Sequence, residues 1–266
     1  MSFLSDFNES FWATVFFIYG CLFGSFANVL IYRIPKNESF IRPRSYCYSC
    51  HGKISWFDNI PIVSWLLLRG KCRKCGTAFS IRYPIVEFLC GILFSLAYIK
   101  IGFHFYLIEV LLFLFASLVS SFIDLDHMIL PDEFTLSGIV IGLLGAFLNP
   151  EREFLEAFFG VLMGGGFLWL LAYVYFLFTG KEGMGGGDIK LLAWIGAVIG
   201  WKAIPFVIMS SAILGSLVGI LYALKSKQGL KTAIPFGPYL VLGAVIFIFY
   251  GKNLSQWYFN LFLPGF

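Results

Sequence analysis

The chain has 266 residues, 59% of them hydrophobic and only 13% charged, with a mean hydropathy of +0.84. A soluble domain carries roughly 25% charged residues, so this composition excludes an ordinary soluble globule, and its abundant apolar surface excludes disorder. The net charge of +4 would point to nucleic acid only if the basic residues covered a soluble face, and they do not.

Apolar runs predict about eight membrane helices, at roughly 11–32, 84–99, 105–123, 133–148, 157–178, 189–200, 203–224 and 236–250. Several are short for a full span, as suits helices packed around a site or entering obliquely. The first ten residues carry Asp6 and Glu9 but no Lys or Arg. The basic start of a secretory signal peptide is therefore missing, and helix one is expected to stay. With the amino terminus outside, segments 33–83, 124–132, 179–190 and 225–231 face the cytoplasm. They hold fifteen Lys or Arg residues against four on the other side, Lys100, Arg152, Lys202 and Lys252, the asymmetry of the positive-inside rule. The expected fold is an all-α polytopic membrane protein with about eight transmembrane helices and a small cytoplasmic four-cysteine domain between helices one and two. Its expected organisation is an N-terminal region at 11–101 that includes that domain at 33–83, a membrane core at 105–224, and a C-terminal loop and last helix at 225–266. No internal repeat is expected.

Within the cytoplasmic segment, Cys47-Tyr48-Ser49-Cys50 is followed after twenty-one residues by Cys72-Arg73-Lys74-Cys75. Each Cys-x-x-Cys turn presents two thiolates to one ion, and two such turns complete the tetrahedral S4 shell of structural zinc. Arg44, Lys53, Lys71, Arg73 and Lys74 supply positive charge that helps keep four thiolates deprotonated. About fifty residues cannot build a sizeable core, so a metal staple is physically reasonable. The competing reading is redox disulfides or unligated thiols, against which a cytoplasmic location argues. Cys21 and Cys90 lie in apolar runs and read as small core residues. His51 is not needed in a shell already filled by sulfur.

Carboxylates within membrane-spanning regions are rare and usually functional. Helix three runs into Ile123-Asp124-Leu125-Asp126-His127, followed by Leu130-Pro131-Asp132, and helix six is preceded by Gly183-Met184-Gly185-Gly186-Gly187-Asp188-Ile189-Lys190. On the topology above, Asp124 and Asp188 lie on the same side at similar depth. Two converging carboxylates suit an aspartic peptidase, in which one takes a proton from water while the other polarises the scissile carbonyl. The glycines let a backbone or an extended substrate approach closely. Plainer readings stand beside this one: Asp132 and Asp188 as helix N-caps, Asp126 as a solvated loop residue, His127 as a polar interface residue. Residues two apart project about 200° around a helix, so only one of Asp124 and Asp126 can face Asp188. Asp124 falls near the carboxyl end of helix three and Asp188 at the amino end of helix six, so helix dipoles assign the negative charge of a resting pair to Asp188.

The chain resembles the bacterial prepilin peptidases, or type IV leader peptidases. The resemblance rests on Gly24-Ser25-Phe26-Ala27-Asn28-Val29-Leu30-Ile31-Tyr32-Arg33, the two cysteine pairs, Asn59-Ile60-Pro61-Ile62-Val63-Ser64-Trp65, Arg82-Tyr83-Pro84, the Asp124 segment and the glycine-aspartate motif. It implies a bacterial inner-membrane peptidase whose catalytic pair is Asp124 and Asp188. Such an enzyme removes the short basic leader of type IV prepilins and type II secretion pseudopilins at the cytoplasmic face. It also implies methylation of the new amino-terminal residue, commonly phenylalanine, with S-adenosylmethionine, although no dinucleotide-type glycine fingerprint marks a site for that donor. The metal ligands expected are Cys47, Cys50, Cys72 and Cys75; the partners are prepilins, pseudopilins and membrane lipid, with no nucleic acid. The competing class is a proton- or ion-coupled transporter that uses the same aspartates, whose expected sign is paired broken helices in two halves.

Overall fold

The computed structural model describes residues 8–39, 41, 45–225 and 234–262. Arg44, and Lys227 and Lys231 of the basic 225–231 segment, lie outside the described residues. Nine α-helices are described: α1 (Glu9–Arg33), α2 (Val63–Leu67), α3 (Arg82–Ile101), α4 (Phe105–His127), α5 (Asp132–Leu148), α6 (Phe154–Thr179), α7 (Gly186–Ile199), α8 (Ile204–Lys225) and α9 (Gly237–Phe262). Each expected helix has its counterpart, and α2 is additional. By length and composition, five segments can cross a membrane: Glu9–Lys36, Arg82–Ile101, Phe105–His127, Phe154–Thr179 and Trp201–Tyr222. The shortfall from eight has a physical reason. Helices α5 and α7 have only 17 and 14 residues, and the apolar part of α9 is Gly237–Gly251, all short of the ~20 residues a full span needs.

The chain divides into two compact units, Met1–Val119 and Ser120–Phe266, with the boundary inside α4. In the first, α1 and α3 pack through small residues. A Cβ on Gly24 would lie 2.6 Å from Glu87 Cα, and one on Gly20 2.7 Å from Gly91 Cα. Such close approach replaces the hydrophobic drive that helices lack in lipid. Cys21 and Cys90 are buried in this seam, as core residues. At its far end, Phe16 stacks on Tyr98 at 4.8 Å, and Phe103 meets Trp12 edge-on at 5.0 Å.

The second unit is organised around α7, whose residues Leu191 to Val198 are all buried. Glycines on the two neighbouring helices make this possible. Gly138 of α5 lies against the Trp194 indole, Gly142 against Ala197, and Gly160 of α6 against the backbone of Gly196. The side of α6 away from Gly160 and Gly164 exposes Phe159, Leu162 and Leu170, so small residues dominate its inward face and large apolar ones its outward face. That distribution suits lipid rather than water as the surrounding medium. At the end of α7, Arg152 donates to the carbonyls of Ala197 at 2.9 Å and Val198 at 2.8 Å, satisfying acceptors that no further helical turn can reach.

Gly160→Ala should destabilise the second unit by about 1–3 kcal/mol, the usual cost of overpacking, because its Cβ would run into the Gly196 carbonyl. Gly166→Ala, on the same helix with nothing within 4 Å of the added carbon, should be neutral. Thermal unfolding in detergent separates the two.

Candidate active site and metal centre

Helix α4 continues one turn past its apolar stretch and ends at His127. Met128 then takes a left-handed conformation, φ 55°, with its N–H on the Asp124 carbonyl at 2.8 Å. The turn buries Asp124, 5% exposed, and leaves Asp126 and His127 exposed. Asp126 is thus exposed as expected, but on the last helical turn rather than in a loop, and His127 is likewise exposed there. Asp188 is half-buried in the first turn of α7, close enough to Asp124 for their charges to interact. Leu130 packs against Gly187, the residue before Asp188, and against Gly237. Added Cβ atoms on Gly187 and Gly237 would fall 2.9 Å from Leu130 Cβ and 3.1 Å from its Cδ2.

Neither N-cap reading holds. The N-cap of α5 is Pro131 and that of α7 is Gly185, neither helix having a side-chain cap. The Asp132 carboxylate instead accepts from Lys190 Nζ at 2.7 and 2.9 Å. This exposed bridge is worth little in stability, though it ties the start of α5 to that of α7 beside the site.

One residue of this site was not read from the sequence. The N–H of Gly237, the first residue of α9, donates to Asp124 Oδ2 at 3.1 Å. An amide in the first turn of a helix has no acceptor within its own helix, and the end of the helix is positive, so it suits a carboxylate. Asp124 therefore also meets a helix amino end, and the assignment of negative charge to Asp188 from chain order loses its basis. The available signal was Pro235-Phe236-Gly237-Pro238, a Gly-Pro pair at the start of an apolar run, which marks a turn entering a helix.

In the first unit, the two Cys-x-x-Cys turns are built alike. The N–H of Cys47 donates to the Gly52 carbonyl at 3.0 Å and that of His51 to Cys47 at 2.8 Å; Cys72 donates to Thr77 and Gly76 to Cys72, both at 2.9 Å. The flanking bridges, Tyr46 with Lys53 and Lys71 with Ala78, repeat at the same offset. His51 and Gly76 hold the equivalent left-handed positions, φ 51° and 73°. The turns thus form a local structural repeat, contrary to the expectation of none. In sequence only the two Cys-x-x-Cys pairs mark it; the rest of the repeat lies in backbone hydrogen bonds.

All four sulfurs lie within 4.8 Å of one another, and those of Cys47 and Cys75 are 3.7 Å apart. A disulfide would need ~2.05 Å, whereas a tetrahedral shell with metal–sulfur bonds of ~2.3 Å places sulfurs about 3.8 Å apart. The residues fit a metal ion. The hydroxyl of Thr77, 3.3 Å from Cys75 Sγ, together with its N–H, pulls the Cys75 thiol down, whereas the neighbouring sulfurs push that of Cys50 up. Lys74 lies over Gly52 beside Cys50 Sγ, as expected of a charge that supports thiolates. Arg73 is instead engaged by Asp58 through a two-pronged contact at 2.7 to 3.0 Å.

Comparison with known proteins matches each unit to a domain. Residues 18–101 match the Bacterial Peptidase A24 N-terminal domain and residues 110–220 the Type IV leader peptidase family. The chain is 36% identical over 275 residues to the prepilin leader peptidase/N-methyltransferase of Aeromonas hydrophila, covering 93% of each chain. The chain belongs to the type IV leader peptidase family. It is also 36% identical to the prepilin leader peptidase/N-methyltransferase of Legionella pneumophila, covering 90% of this chain and 92% of that one. The protein of the same name from Pseudomonas aeruginosa is 34% identical, covering 90% of each. No solved structure matches the chain.

Purified under reducing conditions, the protein should carry about one metal ion per chain, and Cys72→Ser should lose it. The substitution should also open residues 45–81 to limited proteolysis while the membrane helices, held by their own packing, remain intact. Metal analysis and peptide mapping check both outcomes; less than half an equivalent in the unsubstituted protein would contradict the S4 reading.

Proposed function

We propose that this family member is a membrane aspartic endopeptidase that removes the leader of type IV prepilins and type II secretion pseudopilins, and then N-methylates the new amino-terminal residue. The observation that carries the peptidase reading is that Asp124 and Asp188 lie close enough for their charges to interact, beside Gly187 and Gly237, in the unit that matches the leader peptidase family. The relatives' shared name, prepilin leader peptidase/N-methyltransferase, carries the second activity. It also favours an enzyme over a transporter.

In the proposed reaction one carboxylate of the pair takes a proton from water, and its protonated partner donates a hydrogen bond to the scissile carbonyl. Water adds to that carbonyl, and the proton gained by the pair returns to the leaving nitrogen as the peptide bond breaks. The shared proton belongs to the pair rather than to either residue. Gly237 holds Asp124 in place, and Gly187 lets Leu130 pack closely beside the pair. The four sulfurs would hold zinc in a closed shell with no open position, so the metal serves structure and takes no part in hydrolysis.

The excess of Lys and Arg in segments 33–83, 179–190 and 225–231 supports a bacterial inner-membrane location with the amino terminus outside and cleavage at the cytoplasmic face. S-adenosylmethionine would supply the methyl group.

Incubated with a prepilin-like peptide, the solubilised protein should produce a leader-sized mass loss, followed by a methyl-sized gain when the donor is added. Asp124→Asn or Asp188→Asn should each lower cleavage by more than about a thousandfold, as expected for members of one catalytic unit, while Asp126→Asn should be mild. Full cleavage by either of the first two variants overturns the assignment. Gly237→Ala should lower cleavage by on the order of 10- to 100-fold, because its Cβ would sit 2.7 Å from Asp124 Oδ2. Its thermal unfolding in detergent should remain cooperative, which excludes collapse of the second unit as the cause.

A further inference from the structure

Residues 56–67 of the insertion serve neither the aspartate pair nor the metal. They form a 3-10 turn, Trp56–Asn59, followed by α2. Ser64 joins the two: its hydroxyl donates to the Phe57 carbonyl at 2.7 Å and accepts the N–H of Ile60 at 3.1 Å. Trp65 turns inward, with its indole against Gly70 and its Nε1 donating to the Phe79 carbonyl at 3.4 Å. Val63, Leu66 and Leu67 stand at i, i+3 and i+4 and so share the other face of α2. All three are exposed, as are Phe57 and Ile60, and the exposure reaches 81% at Trp56 and 77% at Leu67. An insertion surrounded by water hides such side chains, and a contiguous apolar patch left open marks a contact surface.

The depth of this face identifies what covers it. The N–H of Ile62, between the two turns, donates to the Glu87 carboxylate at 2.7 Å. Ile62 is held there at φ 63° and ψ −52°, a conformation that a β-branched residue avoids. Glu87 lies five residues into α3, whose apolar span begins at Arg82, or about 7.5 Å along the helix axis. Ile85 and Phe88, on either side of it in sequence, are exposed, so lipid surrounds α3 at this level. The bond to Glu87 therefore pins the turn below the basic edge of the membrane, at the ~5–10 Å depth where interfacial helices lie. A protein partner would have to reach beneath the headgroups to cover it.

Charge agrees with depth. The one charged side chain in 56–67 is Asp58, and Arg73 neutralises it at 2.7 Å. Lys53, Arg69 and Lys71 flank the stretch and are exposed. The whole insertion, 33–83, carries ten Lys or Arg residues against Glu38 and Asp58. Aliphatic and indole groups bordered by bases suit the boundary between acyl chains and anionic headgroups. We propose that residues 56–67 are an interfacial anchor, with Trp56, Leu66 and Leu67 among the upper acyl chains beside α3 and Arg69 and Lys71 against anionic lipid phosphates. The insertion then meets the membrane at a third point besides α1 and α3, which limits how far the cysteine turns can swing away from it.

The test uses the full-length protein in vesicles of phosphatidylcholine, alone or mixed with phosphatidylglycerol. A photoreactive phenylalanine analogue in place of Leu67 should form lipid adducts on irradiation. Cross-links to a second copy of the chain without lipid adducts overturn the proposal, and so does the absence of any adduct. In the mixed vesicles phosphatidylglycerol should be over-represented among the adducts at low salt and fall to its bulk share at high salt. No enrichment at low salt overturns the headgroup assignment. A second measurement leaves the probe out: Leu66→Glu combined with Leu67→Glu should speed tryptic cutting at Lys53, Arg69 and Lys71 in vesicles by about tenfold or more, because two apolar side chains lose their burial. Both positions are exposed in the folded chain, so the metal content should stay unchanged. Cutting at the unsubstituted rate overturns the proposal.

Discussion

The burial of α7 between the glycine faces of α5 and α6 is the contact on which the second unit depends. In lipid, helices gain little from hiding apolar side chains, so affinity must come from close backbone approach. Gly138, Gly142 and Gly160 provide it, and the large side chains displaced from the seam turn outward. Once α7 is clamped along its length and its final carbonyls are held by Arg152, the position of its first turn is determined. Asp188 stands in that turn. The placement of a half-buried carboxylate beside Asp124 is thus a consequence of glycines several turns away.

The first unit solves a different problem. A polar insertion of this size cannot hold itself together by burial alone, and its backbone is organised instead by two cysteine turns with matching hydrogen bonds. The strained turn at Ile62 then ties the insertion to its anchoring helix α3 through the carboxylate of Glu87.

Much of this was legible in the sequence, and the rest was hidden for identifiable reasons. Apolar runs located every long helix, because a chain in lipid must satisfy its backbone within each segment. Spacing located the four sulfurs, because tetrahedral geometry demands two paired turns. Helical projection allowed only one of Asp124 and Asp126 to face Asp188, the resemblance pointed to Asp124, and the structure buries Asp124 and exposes Asp126. The role of Asp132 was misread because its pairing with Lys190 joins residues 58 positions apart. Gly237 was missed because its contribution is a backbone N–H, which has no side-chain signature. Of the eight apolar helices, five are long and apolar enough to cross a membrane by themselves, since burial inside protein sustains apolar helices as short as α7.

The bond from Gly237 to Asp124 joins residues 113 positions apart. A ribosome makes Asp124 first, Asp188 next and Gly237 only after about fifty more residues. The matched peptidase domain, residues 110–220, ends before that last donor is reached. During synthesis, therefore, both aspartates exist while the first of them still lacks the amide that fixes it. The pair gains its full constraint only when α9 docks, so a partly made chain in the membrane carries an incompletely assembled site. The order of the helices thus leaves Asp124 without that amide until α9 has been made.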